Sequence, residues 1–95
     1  MSKAYLVAHI RVHHEEEFER FKDLSQYAII EHGCRLLASN PNPEIKEGSV
    51  SGRVVLIEFD DIKAAQAFYN SDAYRAARAE REVSAETDLI LFEGL

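Results

Sequence analysis

The chain has 95 residues, enough for one domain, and a formal net charge of −6. Such an acidic chain repels nucleic-acid backbones unless it gathers its basic residues into a stripe. Arg75, Arg78 and Arg81 share a predicted helix face, but acidic side chains surround them, so we expect no nucleic-acid partner. A domain of this length buries only about 60–65% of the surface of its unfolded chain, so association would add stability.

The cysteine content and the hydropathy pattern indicate a compartment. Cys34 is the one cysteine of the sequence, which excludes an internal disulfide and favours a reducing environment. The longest apolar run is about five residues, whereas a membrane-spanning helix needs roughly 20. The N-terminal segment alternates instead of forming the apolar stretch of a signal peptide. We therefore expect a cytoplasmic protein without a membrane partner.

The first half of the chain predicts a strand, a helix and a second strand. Apolar side chains alternate with the others over residues 4–12, which is typical of a strand. Three glutamates then suit the positive end of a helix, predicted over residues 14–31, and Gly33 suits its end. A short strand is expected over residues 34–39, and the prolines that follow cannot continue a sheet.

The second half predicts a strand, a broken helix and a last strand. An extended piece near Ile45 leads to the clearest strand of the chain, over residues 53–59. A helix is predicted over residues 62–69, and it restarts after a new capping signal to run over residues 72–84. The apolar residues within 88–93 indicate the last strand.

The resulting order, β-α-β-β-α-β, is the ferredoxin-like arrangement of the α+β class, here as one domain over residues 1–95. It has a four-stranded antiparallel sheet with both helices on one face. The opposite face also carries valine or leucine, and an exposed apolar sheet face is typical of an interaction surface. We therefore predict a homodimer in which the sheets of two copies pack together, a dimeric α+β barrel.

Five stretches of the sequence match a known family pattern in order. They are Ala-Tyr-Leu-Val-Ala-His at 4–9, Glu-His-Gly at 31–33, Arg-Val-Val-Leu-Ile-Glu-Phe at 53–59, Ala-Phe-Tyr-Asn-Ser-Asp-Ala-Tyr-Arg-Ala-Ala-Arg at 67–78 and Asp-Leu-Ile-Leu-Phe-Glu-Gly at 88–94. The chain thus resembles domain-of-unknown-function family 1330 (DUF1330), within the dimeric α+β barrel superfamily. The resemblance implies the same fold and a dimer, and no settled reaction. The family often has a second glycine where this chain has Cys34, so the resemblance implies no shared catalytic role for that thiol.

His9 and Glu58 are the candidate catalytic residues. Each is an ionisable residue in a predicted central strand that is otherwise mostly apolar, and strands one and three are neighbours in this topology. A carboxylate that orients an imidazole produces a general base near neutral pH. The alternative is a structural hydrogen-bonded pair, or a glutamate that faces the dimer without a chemical role.

Three further residues are candidate ligand contacts. Arg53 would bind an anionic or carbonyl group, and Tyr69 and Tyr74 would line the same cavity unless they are only half-buried core residues. The spacing of His9, His13 and His14 does not suit chelation, and we expect neither a metal nor a bound cofactor.

These observations leave functions of different classes open. The first is a cofactor-independent enzyme that moves a proton on a hydrophobic or aromatic substrate, as in the monooxygenases and isomerases of the superfamily that the chain resembles. The second is a non-catalytic homodimer that binds a small ligand or serves in a stress response. Haem binding is a third and weaker alternative, because it requires a histidine beside the cleft between helices and sheet.

Overall fold

The computed structural model describes residues 2–95. Its elements are β1 (Ala4–Val12), α1 (Glu15–His32), β2 (Arg35–Asn40), β3 (Arg53–Phe59), α2 (Ile62–Asn70), α3 (Asp72–Ser84) and β4 (Ala85–Glu93). The strands form one antiparallel sheet in the order β2-β3-β1-β4. The predicted ferredoxin-like fold is confirmed, with its second helix divided into α2 and α3. None of the described helices has the length and apolar content needed to cross a membrane.

Local signals explain where the helices begin and end. The Asp61 carboxylate accepts a hydrogen bond from the backbone N–H of Ala64 at 2.8 Å and so caps α2. Ser71 ends α2 and caps α3, because its Oγ accepts from the backbone N–H of Tyr74 at 3.1 Å. Gly33 follows α1 with a φ of 65°, the left-handed conformation that a glycine adopts without strain.

Two boundaries differ from the sequence predictions. β4 begins at Ala85, directly after α3, so the predicted start at residue 88 is wrong. Its first residues pair with the end of β1, with Ala85 opposite Val12, and this pairing extends a segment whose own pattern is weakly strand-like. The extended piece expected near Ile45 is not a strand, since residues 41–52 form an irregular connection between β2 and β3.

The sheet has two faces of different character. The side chains of Ala4, Leu6, Ala8 and Ile10 on β1 are buried beneath the helices, in what we call the helix face. Because successive strand residues point to opposite sides, the side chains between them lie on the other side, which we call the open face. On β3, the helix face holds Val55, Ile57 and Phe59, and the open face holds Val54, Leu56 and Glu58.

Candidate ligand cavity

A cavity of about 410 Å³ lies between α1, α3 and the helix face of the sheet. Helix α1 packs chiefly against α3, which leaves space between α1 and the part of the sheet formed by β1, β2 and β3. Most of the lining is apolar. The apolar side chains that line it are Leu6, Ala8, Ile10, Phe18, Phe21, Ile29, Ile30, Leu36, Val55 and Ile57. Ile30 on α1 and Leu36 on β2 remain exposed, so the cavity is open to solvent beside them.

Arg81 is a buried cation in the wall of this cavity. The residue is only 5% exposed, and its Nη1 donates a hydrogen bond to the hydroxyl of Tyr74 at 2.7 Å. Its guanidinium also lies over the ring of Phe21, at 5.5 Å from the centroid. Arg81 forms no ion pair with a carboxylate within residues 2–95, whereas Arg20 pairs with two glutamates and Arg78 with one.

Tyr74 is the hydrogen-bond partner of Arg81 and is itself almost fully buried. Burial raises the pKa of the Tyr74 phenol, while the neighbouring Arg81 cation acts in the opposite direction. The phenol is therefore neutral near pH 7. Its oxygen accepts from Arg81, so its own proton is free to be donated to another group. The ring packs against Phe68 in a tilted arrangement, with centroids 4.6 Å apart.

Two more cations line the cavity. Arg53, at the start of β3, donates from Nη1 to Ser39 Oγ at 3.2 Å and lies 5.8 Å from the ring centroid of Phe18. Lys22 on α1 pairs with Glu19 at 3.0 Å. No aspartate or glutamate of the described chain belongs to the lining. The cavity thus combines apolar walls with three cationic side chains in a protein of net charge −6.

The predicted ligand contacts divide into two groups. Arg53 and Tyr74 line the cavity together. Tyr69 does not line it. Its ring lies behind Tyr74, with centroids 5.8 Å apart, and is covered by the guanidinium of Arg78 at 4.3 Å.

His9 and Glu58 share the open face, but the structure does not bring them together. His9 pairs in register with Val54, and Glu58 pairs with Tyr5, so the two side chains are four residues apart along β1. That separation is roughly 13 Å at about 3.3 Å per residue. The imidazole–carboxylate contact expected within one chain is therefore absent from the described structure, and both residues lie on the side of the sheet opposite to the cavity. A proton-transfer role for either residue stays a prediction.

Neither His9 nor Glu58 has the other as its hydrogen-bond partner. Glu58 Oε1 accepts from Arg35 Nε at 2.6 Å. The carboxylate in register with His9 is Asp88, which instead pairs with Arg11 at 3.0 Å. His9 Nδ1 is buried and has no hydrogen-bond partner within residues 2–95.

Cys34 is a weak candidate for a catalytic nucleophile. Burial raises the pKa of the Cys34 thiol, whereas a nucleophilic cysteine needs a lowered pKa. The thiol donates to the carbonyl of Ile29 at 3.7 Å. The part of the chain that the structure describes holds no group of three or more histidine, cysteine, aspartate or glutamate residues placed to bind a metal ion.

Comparison with known proteins assigns the chain to a family. The model of the domain of unknown function DUF1330 matches residues 3–95. The chain belongs to the DUF1330 family. No curated protein is significantly similar to this DUF1330 chain in sequence.

Solved structures of similar fold come from several bacteria. A protein of unknown function from Rhodopseudomonas palustris has a TM-score of 0.80 and 14% identity, with 99% of this chain and 83% of that chain covered. A dimeric ferredoxin-like protein of unknown function from Jannaschia sp. CCS1 has a TM-score of 0.77 and 12% identity, with coverages of 97% and 99%. SnoaB, a cofactor-independent oxygenase from Streptomyces nogalater, has a TM-score of 0.70 and 12% identity, with coverages of 100% and 95%. At these identities the likeness shows the fold of this DUF1330 chain alone.

Arg81 is a residue of the cavity that the sequence pattern does not single out. The pattern places Arg75, Arg78 and Arg81 on one helix face among acidic residues, but Arg75 is exposed and Arg81 is buried. The buried stripe of α3 consists of Tyr74, Ala77, Arg81 and Ser84, at the three- and four-residue steps of an amphipathic helix. The available signal was therefore the seven-residue spacing from Tyr74, which places both side chains on one face.

Proposed function

We propose that this DUF1330 protein binds a small organic molecule in the cavity between α1, α3 and the helix face. The observation that carries the proposal is the cavity itself, open and largely apolar, with a few polar groups at defined places. Its volume of about 410 Å³ falls in the range of roughly 300–1,000 Å³ typical of small-molecule sites. Arg53 and Tyr74 are ligand contacts in this proposal. The half-buried free thiol of Cys34 supports a location in the reducing cytoplasm.

The binding unit is a homodimer formed through the open face. Val7 lies between Leu56 and Ile90 in the register of the sheet, which produces a continuous apolar strip, and Ile90 is 59% exposed. Two ion pairs, Arg11 with Asp88 and Arg35 with Glu58, lie on the same face. The dimeric ferredoxin-like protein of similar fold supports this assembly. In such a dimer the cavity of each protomer lies on the side of the sheet away from the partner.

A variant that fills the cavity tests the binding proposal. Wild type is screened by thermal shift against small aromatic and aliphatic acids, amides and quinones, because a ligand at a hundredfold excess over its Kd stabilises the fold by about 2.7 kcal/mol. Ser25→Phe places a ring into the cavity from α1, and Gln66→Phe places the same ring on the exposed surface of α2. We expect the stabilisation to vanish in Ser25→Phe and to persist in Gln66→Phe. Equal stabilisation of both variants, or no stabilising ligand at all, contradicts the proposal.

A second candidate function is cofactor-independent catalysis on the bound molecule. The similar fold of SnoaB supports it, as does the position of Arg81, a buried cation that would stabilise negative charge developing on an enolate or phenolate. His9 and Glu58, the proton carriers predicted from the sequence, lie on the open face and do not reach the cavity across the sheet, so they would act only on a molecule bound at the open face. This separation makes catalysis a weaker proposal than binding.

Turnover measurements test the catalytic candidate. Consumption of each stabilising ligand is followed by mass spectrometry with wild type and His9→Ala. Loss of turnover in a His9→Ala protein that remains dimeric supports the role of His9. Unchanged turnover removes that role, and the absence of turnover in wild type leaves a binding protein.

A further inference from the structure

The buried cavity residues Arg81 and Tyr74 carry hydrogen-bond donors for which the described chain supplies no acceptor. We infer that the cavity is an anion site, which holds a molecule with a carboxylate head on an apolar body. This inference rests on the proposed binding function and specifies its ligand class. The carboxylate accepts hydrogen bonds from Arg81 and Tyr74, and the apolar body lies against the walls of the cavity.

The charge of Arg81 is unbalanced within the described chain. Burying most of an arginine is costly unless an anion and hydrogen-bond acceptors compensate it. The remaining guanidinium nitrogens are not among the fully buried polar atoms without a partner, so they are accessible from the open cavity. Within residues 2–95 the guanidinium of Arg81 has the neutral hydroxyl of Tyr74 and two aromatic rings as partners, and no carboxylate. Arg11 and Arg35, both more exposed, each pair with an aspartate or glutamate. A ligand carboxylate would supply the missing counterion.

Arg81 and Tyr74 carry more hydrogen-bond donors than the described chain supplies acceptors for. A guanidinium carries five N–H groups, and the single contact from Nη1 of Arg81 to Tyr74 uses one of them. The Tyr74 hydroxyl accepts that bond, and burial keeps its own proton in place by raising its pKa. Because Arg81 Nη1 and the Tyr74 oxygen are 2.7 Å apart, the free N–H groups of Arg81 and the free O–H of Tyr74 lie close to each other. A carboxylate is acceptor-only and has two oxygens, which matches this pair of donors.

The charge of the whole lining also favours an anion. Lys22, Arg53 and Arg81 line the cavity, and because Lys22 pairs with Glu19, Arg53 and Arg81 are the two cations of the lining without a carboxylate partner in the described residues. The chain carries 17 acidic and 11 basic residues, so its average surface has the opposite sign. A cationic lining in an acidic protein raises the local concentration of anions. The apolar walls require in addition that the anion carry a hydrophobic body.

Matched acid and amide pairs test this inference by isothermal titration. The probes are naphthoate with naphthamide and octanoate with octanamide, since each pair shares its body and differs in the charge of its head. In wild type we expect the acid to bind about 10- to 100-fold more tightly than the amide, the range for a hydrogen bond to a charged group. In Arg81→Met that preference should fall to the smaller part that the other cations of the lining supply, because the charged donor that binds the carboxylate is lost. Arg78→Met, which removes an arginine from the same helix but outside the cavity, should keep it.

The outcomes separate the inference from the proposal on which it rests. Equal affinities of acid and amide in wild type overturn the anion site and leave cavity binding intact. Binding of no member of either pair overturns the proposed function itself. An acid preference of unchanged size in a folded Arg81→Met protein shows that Arg81 is only a structural cation, placed over the rings of Phe21 and Tyr74, and overturns the inference.

The wild-type comparison does not depend on whether a variant folds. If Arg81→Met proves unfolded by circular dichroism, Arg81→Lys takes its place, because lysine keeps the charge and loses the planar fork. We then expect the acid preference to remain but to be smaller than in wild type, because the charge is kept and the two parallel N–H donors are lost. An unchanged preference in Arg81→Lys shows that the carboxylate does not bind the fork of Arg81 and contradicts the assignment.

Discussion

The two faces of the sheet are built from the same strands and differ in how their charges are compensated. On β3, Val55 and Ile57 line the cavity, while Val54 and Leu56 face the open side. Arg11 and Arg35 on the open face are neutralised by carboxylates of the same face, which leaves an apolar strip beside balanced charges. In the cavity, Arg53 of the helix face and Arg81 of α3 have only neutral partners. The open face therefore suits a second copy of the chain, and the helix face suits an anion.

The largest effects should come from introducing an aspartate on each face of the sheet. On the helix face it should prevent folding, and on the open face it should disrupt only the dimer. Leu6→Asp buries a carboxylate in the core, where the wild-type residue is 1% exposed, and the cost of several kcal/mol is comparable to the whole stability of a small domain. We expect this variant not to fold. Ile90→Asp, on the open face, should keep native circular dichroism and sediment as a monomer because the dimer strip is interrupted.

Circular dichroism and sedimentation equilibrium measure the two parts of this prediction. A folded Leu6→Asp protein would contradict the assignment of the core to the helix face. A dimeric Ile90→Asp protein, or a monomeric wild type at micromolar concentration, would contradict the assignment of the dimer to the open face.

The next largest effect on stability should come from adding a methyl group at Gly52, directly before β3. A Cβ added at Gly52, which has a φ of +92°, would lie 2.4 Å from the carbonyl oxygen of Ile10 on β1. Gly48, with a φ of +86°, has open space at the same place. Gly48→Ala should cost about 1–2 kcal/mol from the left-handed conformation, and Gly52→Ala about 1–3 kcal/mol more from the clash. Urea unfolding measures the difference, and equal costs would show that β1 and the end of the connection do not approach closely.

Removal of the Tyr74 hydroxyl should have a smaller effect on the free energy of unfolding. Tyr74→Phe removes the acceptor of Arg81, which should cost about 1–3 kcal/mol near neutral pH. The pKa of Tyr74 is raised above its ordinary value of 10.0, so the unfolded chain releases this proton first as the pH rises. Its stabilising contribution is thus complete below about pH 10 and is lost as the pH rises through the raised pKa.

Urea unfolding at about pH 8 and about pH 10.5 in wild type and Tyr74→Phe measures this linkage. The wild type should lose more stability between the two conditions than the variant. An identical loss in both proteins would show that the Tyr74 phenol is not buried as described.

The smallest effect should follow a change in the Glu58 ion pair. Arg35, its partner, is partly exposed, and such pairs contribute only about 0–1 kcal/mol. Glu58→Gln should therefore change stability by less than about 1 kcal/mol, and it should leave the affinity of a cavity ligand unchanged. Calorimetric titration with naphthoate checks the second part, and a large loss of affinity would connect Glu58 with the cavity after all.

The sequence was informative wherever a local pattern determines the structure. Alternation in β1 and the capping residue Ser71 predicted a strand and a helix break that the structure has. Arg81 and the β4 boundary were missed because long-range packing decides them: an arginine in a buried stripe resembles a surface arginine, and Ala85 is strand only through its pairing with β1. The separation of His9 and Glu58 depends on the register between β1 and β3, which alternation cannot supply.

The most direct test of the central claim is a methyl-detected NMR titration of the wild-type protein with naphthoate. Val54, Val55, Leu56 and Ile57 are consecutive on β3 and point alternately to the two faces. Binding in the cavity predicts large shift changes for the methyl groups of Val55 and Ile57, and small ones for Val54 and Leu56. The reverse pattern, with Val54 and Leu56 most affected, would place the ligand on the open face and contradict the account.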